Sequence, residues 1–550
     1  MIQNLPEELR KIIKGDVLSD DQTLKDYSHD YSLFEVKSKV VVFPKDAQDL
    51  QALIKYVAEN KKNDPSLSLT ARAAGTDMGG AAINDSILVE FTKYFNHSPK
   101  VNGDIATTEP GVFFKDFEKE TLKHNLIFPS YPASKEICAM GGILNNNAGG
   151  EKSLQYGKTE KYIRKMKVML RDGNTYELEK LSEGQLQEKL ALKTFEGEIY
   201  QKMYKLITEN YDEVAKAKPD VSKNSAGYYL WNIYDKANKT FDLTQLWVGA
   251  QGTLGFLLEA DIQLVPTYPH REMEIIFLHD LSHLGEIIDA ILPLQPESFE
   301  SYDDNTLKLS LRYFPEFARK LGIWGLIQSG LAFLPAFLEM LIGRLPKLIL
   351  QIDFTGNSPE ELQKKIATLR EKLKPLHLQT RTAIDDAEKK YWLIRRESFN
   401  LLHNKIRDKH TAPFIDDFVI DPHLISEVIP RITTILKKHP EFIFTVAGHV
   451  GNGNFHIIPL VDIENPNVRK YIPIIADQVY NIVNKYHGSI TGEHNDGLIR
   501  TPYLKQMYGE KIIQLFEEAK KIFDPDNIFN PRKKVFGDLK FVMSHIRQKW

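Results

Sequence analysis

The chain has 550 residues, 42% hydrophobic and 26% charged, with a formal net charge of −3. That composition excludes a disordered or collagen-like chain, and the slightly acidic balance excludes a basic field that would attract nucleic-acid phosphates. The single cysteine, Cys138, excludes an internal disulfide, a Cys-ligated zinc site and an iron–sulfur cluster.

At ~150 residues per domain, the length predicts ~3–4 folding units or fewer large ones. Met1–Gly15 is polar and amphipathic and lacks the apolar core of a secretion signal, so a cytoplasmic location is expected. Lys39–Pro44 reads as a strand, and Asp46 as the N-cap of a helix carrying Leu50, Leu53, Ile54 and Val57 on one face. Leu67–Arg72 and Ser86–Phe91 are further strand-length apolar runs. Lys165–Leu170 and Thr175–Glu179 flank Arg171-Asp172-Gly173-Asn174, a hairpin signal. Leu246–Pro266 reads as another strand pair around Gly249–Gly255.

After Pro266–His270 the character changes. Leu281–Leu292 and Pro359–Leu373 are predicted helices, and Leu321–Leu338 between them is free of charge. That run is short for a membrane span and interrupted by Pro335, Gln328 and Ser329. It reads as a buried hairpin or as an interfacial segment lying on lipid. Ile443–Val461 returns to strand, and Val468–Tyr486 is a predicted helix.

Four glycine-rich motifs carry the chemistry. The first, Arg72-Ala73-Ala74-Gly75-Thr76-Asp77-Met78-Gly79-Gly80, follows a strand. Its small residues let backbone N–H groups approach a phosphate, although for this motif taken alone a plain tight turn is the better reading. The second comprises Pro129–Ser134, Gly141-Gly142, Asn145–Gly150 and Tyr156-Gly157. Its irregular pattern predicts a long loop that cradles a large polar ligand. The third pairs Lys223–Tyr228 with Gly249–Phe256 and offers glycines against which a flat ligand could lie. In the fourth, Gly448-His449-Val450-Gly451-Asn452-Gly453-Asn454-Phe455-His456 precedes Gly492-Glu493-His494. Residues seven apart face opposite sides of a straight strand, but Gly-Asn-Gly-Asn can turn the chain so that both histidines face one site. Imidazoles with a carboxylate suit a divalent metal such as zinc. Cys138 reads as a small packed residue rather than a catalytic one.

Over about residues 30–266 the first three motifs resemble the FAD-binding half of the vanillyl-alcohol-oxidase/PCMH flavoproteins. The fourth motif, with Phe523-Asp524-Pro525 and Asn530-Pro531, resembles the C-terminal half of FAD-linked D-2-hydroxy-acid dehydrogenases of the D-lactate, glycolate and D-2-hydroxyglutarate type. The resemblance implies an α+β chain: a two-lobed PCMH-type FAD-binding domain over residues 1–266, then an α+β cap or substrate domain over 267–499. It places an apolar insertion at about 317–350 and a segment over 500–550 that returns to the FAD domain.

The cofactor residues it implies are Arg72, Ala73, Ala74, Gly75, Thr76, Asp77, Gly79 and Gly80 in the first motif, which looks like the pyrophosphate turn. Pro132, Ser134, Gly141, Gly142, Asn145, Asn147, Gly149 and Gly150 follow in the second, then Gly252, Leu254, Gly255 and Asn530. Thr76 stands where covalent flavoproteins of this kind commonly carry histidine, which implies non-covalent FAD. Gln251 stands where many relatives have glutamate.

By the same resemblance His449, His456 and Glu493 hold a divalent metal, His494 takes the hydroxyl proton, and Arg395 holds the substrate carboxylate. Ile458 replaces a frequent asparagine, and Ile415 falls where a substrate-binding lysine is expected. The expected substrate is therefore a D-lactate-like monocarboxylate rather than hydroxyglutarate. Expected electron acceptors are a quinone, reached by peripheral membrane contact through 321–338 at the inner face, or a soluble electron-transfer protein. A metal-dependent hydrolase and a non-catalytic flavin-binding, membrane-docking protein are the alternatives.

Overall fold

In a computed structural model of the chain, the structure describes residues 4–306, 308, 345–383, 392 and 409–549. The charge-free run 321–338, most of the expected insertion at about 317–350, and Arg395 lie outside them. Helices and three principal sheets make up the architecture.

The first sheet has four strands, ordered Asp16–Leu18, Val40–Phe43, Ile87–Glu90 and Leu69–Arg72. The last three are parallel. Val40–Phe43 and Ile87–Glu90 are buried at every position, as continuous apolar runs in parallel sheets are. Asp46 caps the helix Ala47–Asn60 by accepting from the Gln48 and Asp49 N–H groups, and Leu50, Leu53, Ile54 and Val57 are buried.

The second sheet has seven strands, with Ile163–Met169 and Thr175–Leu181 forming the expected hairpin. The strand pair expected in Leu246–Pro266 is not formed. Thr244–Trp247 is a helical turn, and Phe256–Gln263 is one long strand between Ile163–Met169 and Ile105–Thr108. The glycines of 249–255 are spent on tight turns with positive φ at Gly249, Gly252 and Gly255, which leaves no extended partner for that strand.

The third sheet has eight strands, built from Gln379–Ala383, His270–Leu278, Leu348–Gly356, Ser298–Asp303, Ile443–His449, Asn454–Val461 and His410–Thr411, with Phe418–Val419 also paired to Asn454–Val461. Leu284–Ile291, Pro359–Leu373 and Pro466–Lys485 are helices near the expected positions. Ser358 caps the second of these by accepting from the Glu361 N–H.

The end of the chain packs back on the first half of the chain. Phe516 packs edge-on against Tyr228 at 6.0 Å, and Phe523 against Trp247 at 6.4 Å. The Asn530 N–H donates to the Leu69 carbonyl at 2.8 Å. Among the described residues no helix is long and apolar enough to cross a membrane.

Candidate functional site

A cavity opens between the first two sheets and reaches the third. Ala73, Ala74, Gly75, Thr76, Asp77, Pro132, Ser134, Gly141, Gly142, Asn145, Gly252 and Gly255 line it, together with His449, His456, Glu493 and His494. Two observations fit this lining to a large phosphate-bearing cofactor. A side chain added at Gly142 would meet no atom within 4 Å, so bare backbone faces open space there. The N–H groups of Ala74, Gly75 and Thr76 meet no acceptor among the described residues, as in a nest awaiting an anion.

The irregular second motif is partly helical. Met140–Asn146 forms a helix that buries Met140, Ile143 and Leu144, spaced as one face, and ends at left-handed Asn147. Packing of that face outweighs the glycine and asparagine content.

The remaining expected cofactor residues stand behind the lining. Arg72 donates to the Ala82 carbonyl and lies over the Tyr27 ring. Gly79 packs against Gly497, and Gly80 against Phe34. Asn147 accepts from the Glu160 N–H. Gly149 backs onto Glu493, and Gly150 onto the Tyr131 carbonyl. Leu254 is core. Asn530 donates to the carbonyls of Ala81 and Gln251, both of which line the cavity. Gln251 uses both ends of its amide, donating to Asn146 and accepting from the Gly497 N–H, which a carboxylate could not do. Cys138 is buried.

The two histidines meet through strand register. Ala447 pairs with His456, and His449 with Asn454. His449 and His456 are therefore diagonal neighbours on one face of the hairpin. The turn between them needs glycine at 453, where φ is +63° and a Cβ would stand 1.8 Å from the Ile420 carbonyl oxygen.

His449 Nδ1 donates to Glu300 Oε1 at 2.6 Å, and His456 Nδ1 donates to the Asp416 carbonyl at 2.9 Å. Each ring thus turns Nε2 toward Glu493 Oε1, at 3.2 and 3.3 Å. In neutral rings two nitrogen lone pairs then face a carboxylate oxygen, a repulsive arrangement unless a proton or a metal cation lies between them. One ligand atom from each of the three residues lies within 4.8 Å of the others. Burial alone would raise the Glu493 carboxyl, but Lys223 and the histidines hold it well below the carboxylate range.

His494 stacks on His456, with centroids 4.9 Å apart and planes at 18°. Its Nδ1 donates to Asp416 Oδ2 at 2.6 Å. Burial lowers its pKa, and Asp416 with Asp417 overcomes this and raises it to about 9. Asp417 fixes the same loop from beneath, accepting from the N–H groups of Gly492, Glu493 and His494. Asp416 also pairs with buried Arg500.

Glu300, Asp416 and Asp417 are supporting residues that sequence reasoning missed, and Lys223, read there as part of a surface for a flat ligand, supports Glu493 instead. The signal available was the adjacent acidic pair Asp416-Asp417 inside an apolar run.

Two sheets joined by glycine-rich loops and a third, histidine-bearing sheet thus surround one cavity. Residues 38–179 match the family described as FAD binding domain, and residues 269–534 match FAD linked oxidases, C-terminal domain. The chain belongs to the FAD-linked oxidoreductases.

Among its relatives, D-2-hydroxyglutarate dehydrogenase of Pantoea ananatis is 25% identical over 92% of this chain and 49% of its own length. D-lactate dehydrogenase of Anaerostipes hadrus is 25% identical over 96% of each chain. The chain spans about half the length of several D-2-hydroxyglutarate dehydrogenases it matches. Its fold is similar to that of 4-ethylphenol oxidase from Gulosibacter chungangensis, with a TM-score of 0.68 and 15% identity over 98% of each chain.

Proposed function

We propose that the chain is an FAD-dependent dehydrogenase that oxidises a D-2-hydroxy acid to the 2-oxo acid. One observation carries the reading: His449, His456, Glu493 and His494 line the same cavity as the Ala73–Asp77 loop and the Pro132–Asn145 segment. Those loops are where the cofactor is held. Thr76 offers no imidazole to the flavin, so the FAD is non-covalent.

His449, His456 and Glu493 hold a divalent metal, zinc being the best match to two imidazoles and a carboxylate. Bound there, the metal would supply the charge that acidifies the substrate hydroxyl, and FAD would supply the acceptor for the C2 hydride. His494 is the base. Its Nδ1 is committed to Asp416, so the hydroxyl proton moves to Nε2. Asp416 holds the ring in that orientation, and Asp417 holds the loop that carries it.

A monocarboxylate such as D-lactate is the favoured substrate. Ile415 and Ile458 are both buried and carry no charge, and among the described residues no lysine or arginine lines the cavity. Arg395 is the proposed partner of the substrate's single carboxylate. The electrons leave to a quinone or a soluble carrier, and pelleting of the cytoplasmic protein with liposomes distinguishes the two. A hydrolase reading leaves the bare backbone of the cavity without a ligand.

The deciding experiment is an anaerobic screen of D- and L-2-hydroxy acids for bleaching of the bound flavin. Bleaching by D-lactate and not L-lactate is the expected result, and a flavin left oxidised by every acid removes the reading.

A further inference from the structure

Lys223 begins the Lys223–Tyr228 motif, yet no residue of that motif lines the cavity. Its side chain is 1% exposed and is aimed at Glu493 from behind the site, with Nζ 2.9 Å from Oε2. Nζ is also 3.3 Å from Asn454 Oδ1, and Asn454 is itself fixed by donating to Asp417 and to the Phe418 carbonyl. The two oxygens of Glu493 are therefore divided: Oε1 faces His449 and His456, and Oε2 faces an ammonium.

We propose that Lys223 is a positioning residue that keeps Glu493 a one-oxygen ligand, so that the protein supplies three donor atoms and leaves room at the metal for substrate. The inference rests on the metal reading given above. Its physical basis is twofold. A carboxylate oxygen engaged by an ammonium is not free to turn toward a metal. A buried positive charge beside a divalent cation also weakens the cation's binding through Coulomb repulsion.

This predicts the opposite of what a mere prop would do. Were Lys223 only bracing Glu493, its loss would loosen the carboxylate and weaken metal binding. As a limiter, its loss frees Oε2 and removes the repelling charge, so the metal binds more tightly.

The test is the dissociation constant of zinc from the full-length, FAD-loaded protein, measured by competition with a fluorescent chelator. Lys223→Met is expected to bind zinc roughly ten- to a hundred-fold more tightly than wild type, with FAD content unchanged. Lys223→Gln, which removes the charge but can still hydrogen-bond Glu493, serves should the methionine variant not fold, and is expected to shift in the same direction by less. Lys223→Arg, which retains the charge, is expected to restore the wild-type constant. Zinc bound no more tightly by the neutral variants overturns the inference while leaving the metal reading in place. Wild-type protein that takes up no zinc overturns both.

Discussion

Asp416 Oδ2 lies 2.6 Å from His494 Nδ1, and this one contact decides which nitrogen of His494 can act as a base. A carboxylate only accepts, so Nδ1 carries the hydrogen and Nε2 is left without a partner among the described residues. Asn at 416 can present its NH2 to Nδ1 and invert the tautomer. Asp416→Asn is therefore expected to lower turnover by ~10²–10⁴, about as far as His494→Ala. Both variants should keep their flavin, because neither residue belongs to the backbone nest. Steady-state rates with D-lactate check this, and an Asp416→Asn enzyme at wild-type speed sinks the assignment.

Metal removal separates the two halves of the site. Dialysis against a strong chelator is expected to abolish turnover and leave the flavin spectrum intact, since His449, His456 and Glu493 sit on the third sheet and its neighbouring loop. His456→Ala should do the same, and zinc should restore the chelated wild type but not the variant. Full activity in chelated protein, confirmed metal-free by elemental analysis, would end the metal role.

The hairpin turn is the local structure on which the ligand set depends. Gly453 has φ +63° and no room for a Cβ beside the Ile420 carbonyl. Gly453→Ala is expected to cost about 2 kcal/mol or more from backbone strain and the clash together. It should also lower zinc affinity, because the register that aligns His449 with His456 shifts. Thermal melts and zinc titration report both effects, and a variant with wild-type values for each contradicts the turn's role.

Cys138 is buried at 3% exposure. Burial pushes its thiol up to about 12, so almost no thiolate exists at neutral pH. The folded protein is expected to leave a disulfide reagent such as dithiobisnitrobenzoate unreacted for hours, and to release one thiol per chain in denaturant. Fast reaction of the native protein would show that the segment carrying Cys138 opens readily.

Local signals in the sequence determined much of this protein. The Asp46 cap, the apolar face of Ala47–Asn60, the Ile163–Leu181 hairpin and Ser358–Leu373 depend on neighbours within a few positions, and they form as the pattern requires. The site histidines were also legible, because Gly-Asn-Gly-Asn between two histidines is a turn signal as well as a ligand signal. Where local signals conflicted, packing decided. Glycine and asparagine spoke for a loop at 140–146, but Met140, Ile143 and Leu144 bury one helical face.

What only the tertiary structure decided is the set of groups supporting the reactive ones. Glu300 reaches His449 across 149 positions, Lys223 reaches Glu493 across 270, and Asp416 reaches His494 across 78. No periodicity or motif links residues so far apart. They meet because a charge buried away from water must find a partner, and only the folded arrangement of the three sheets determines which partner is within reach.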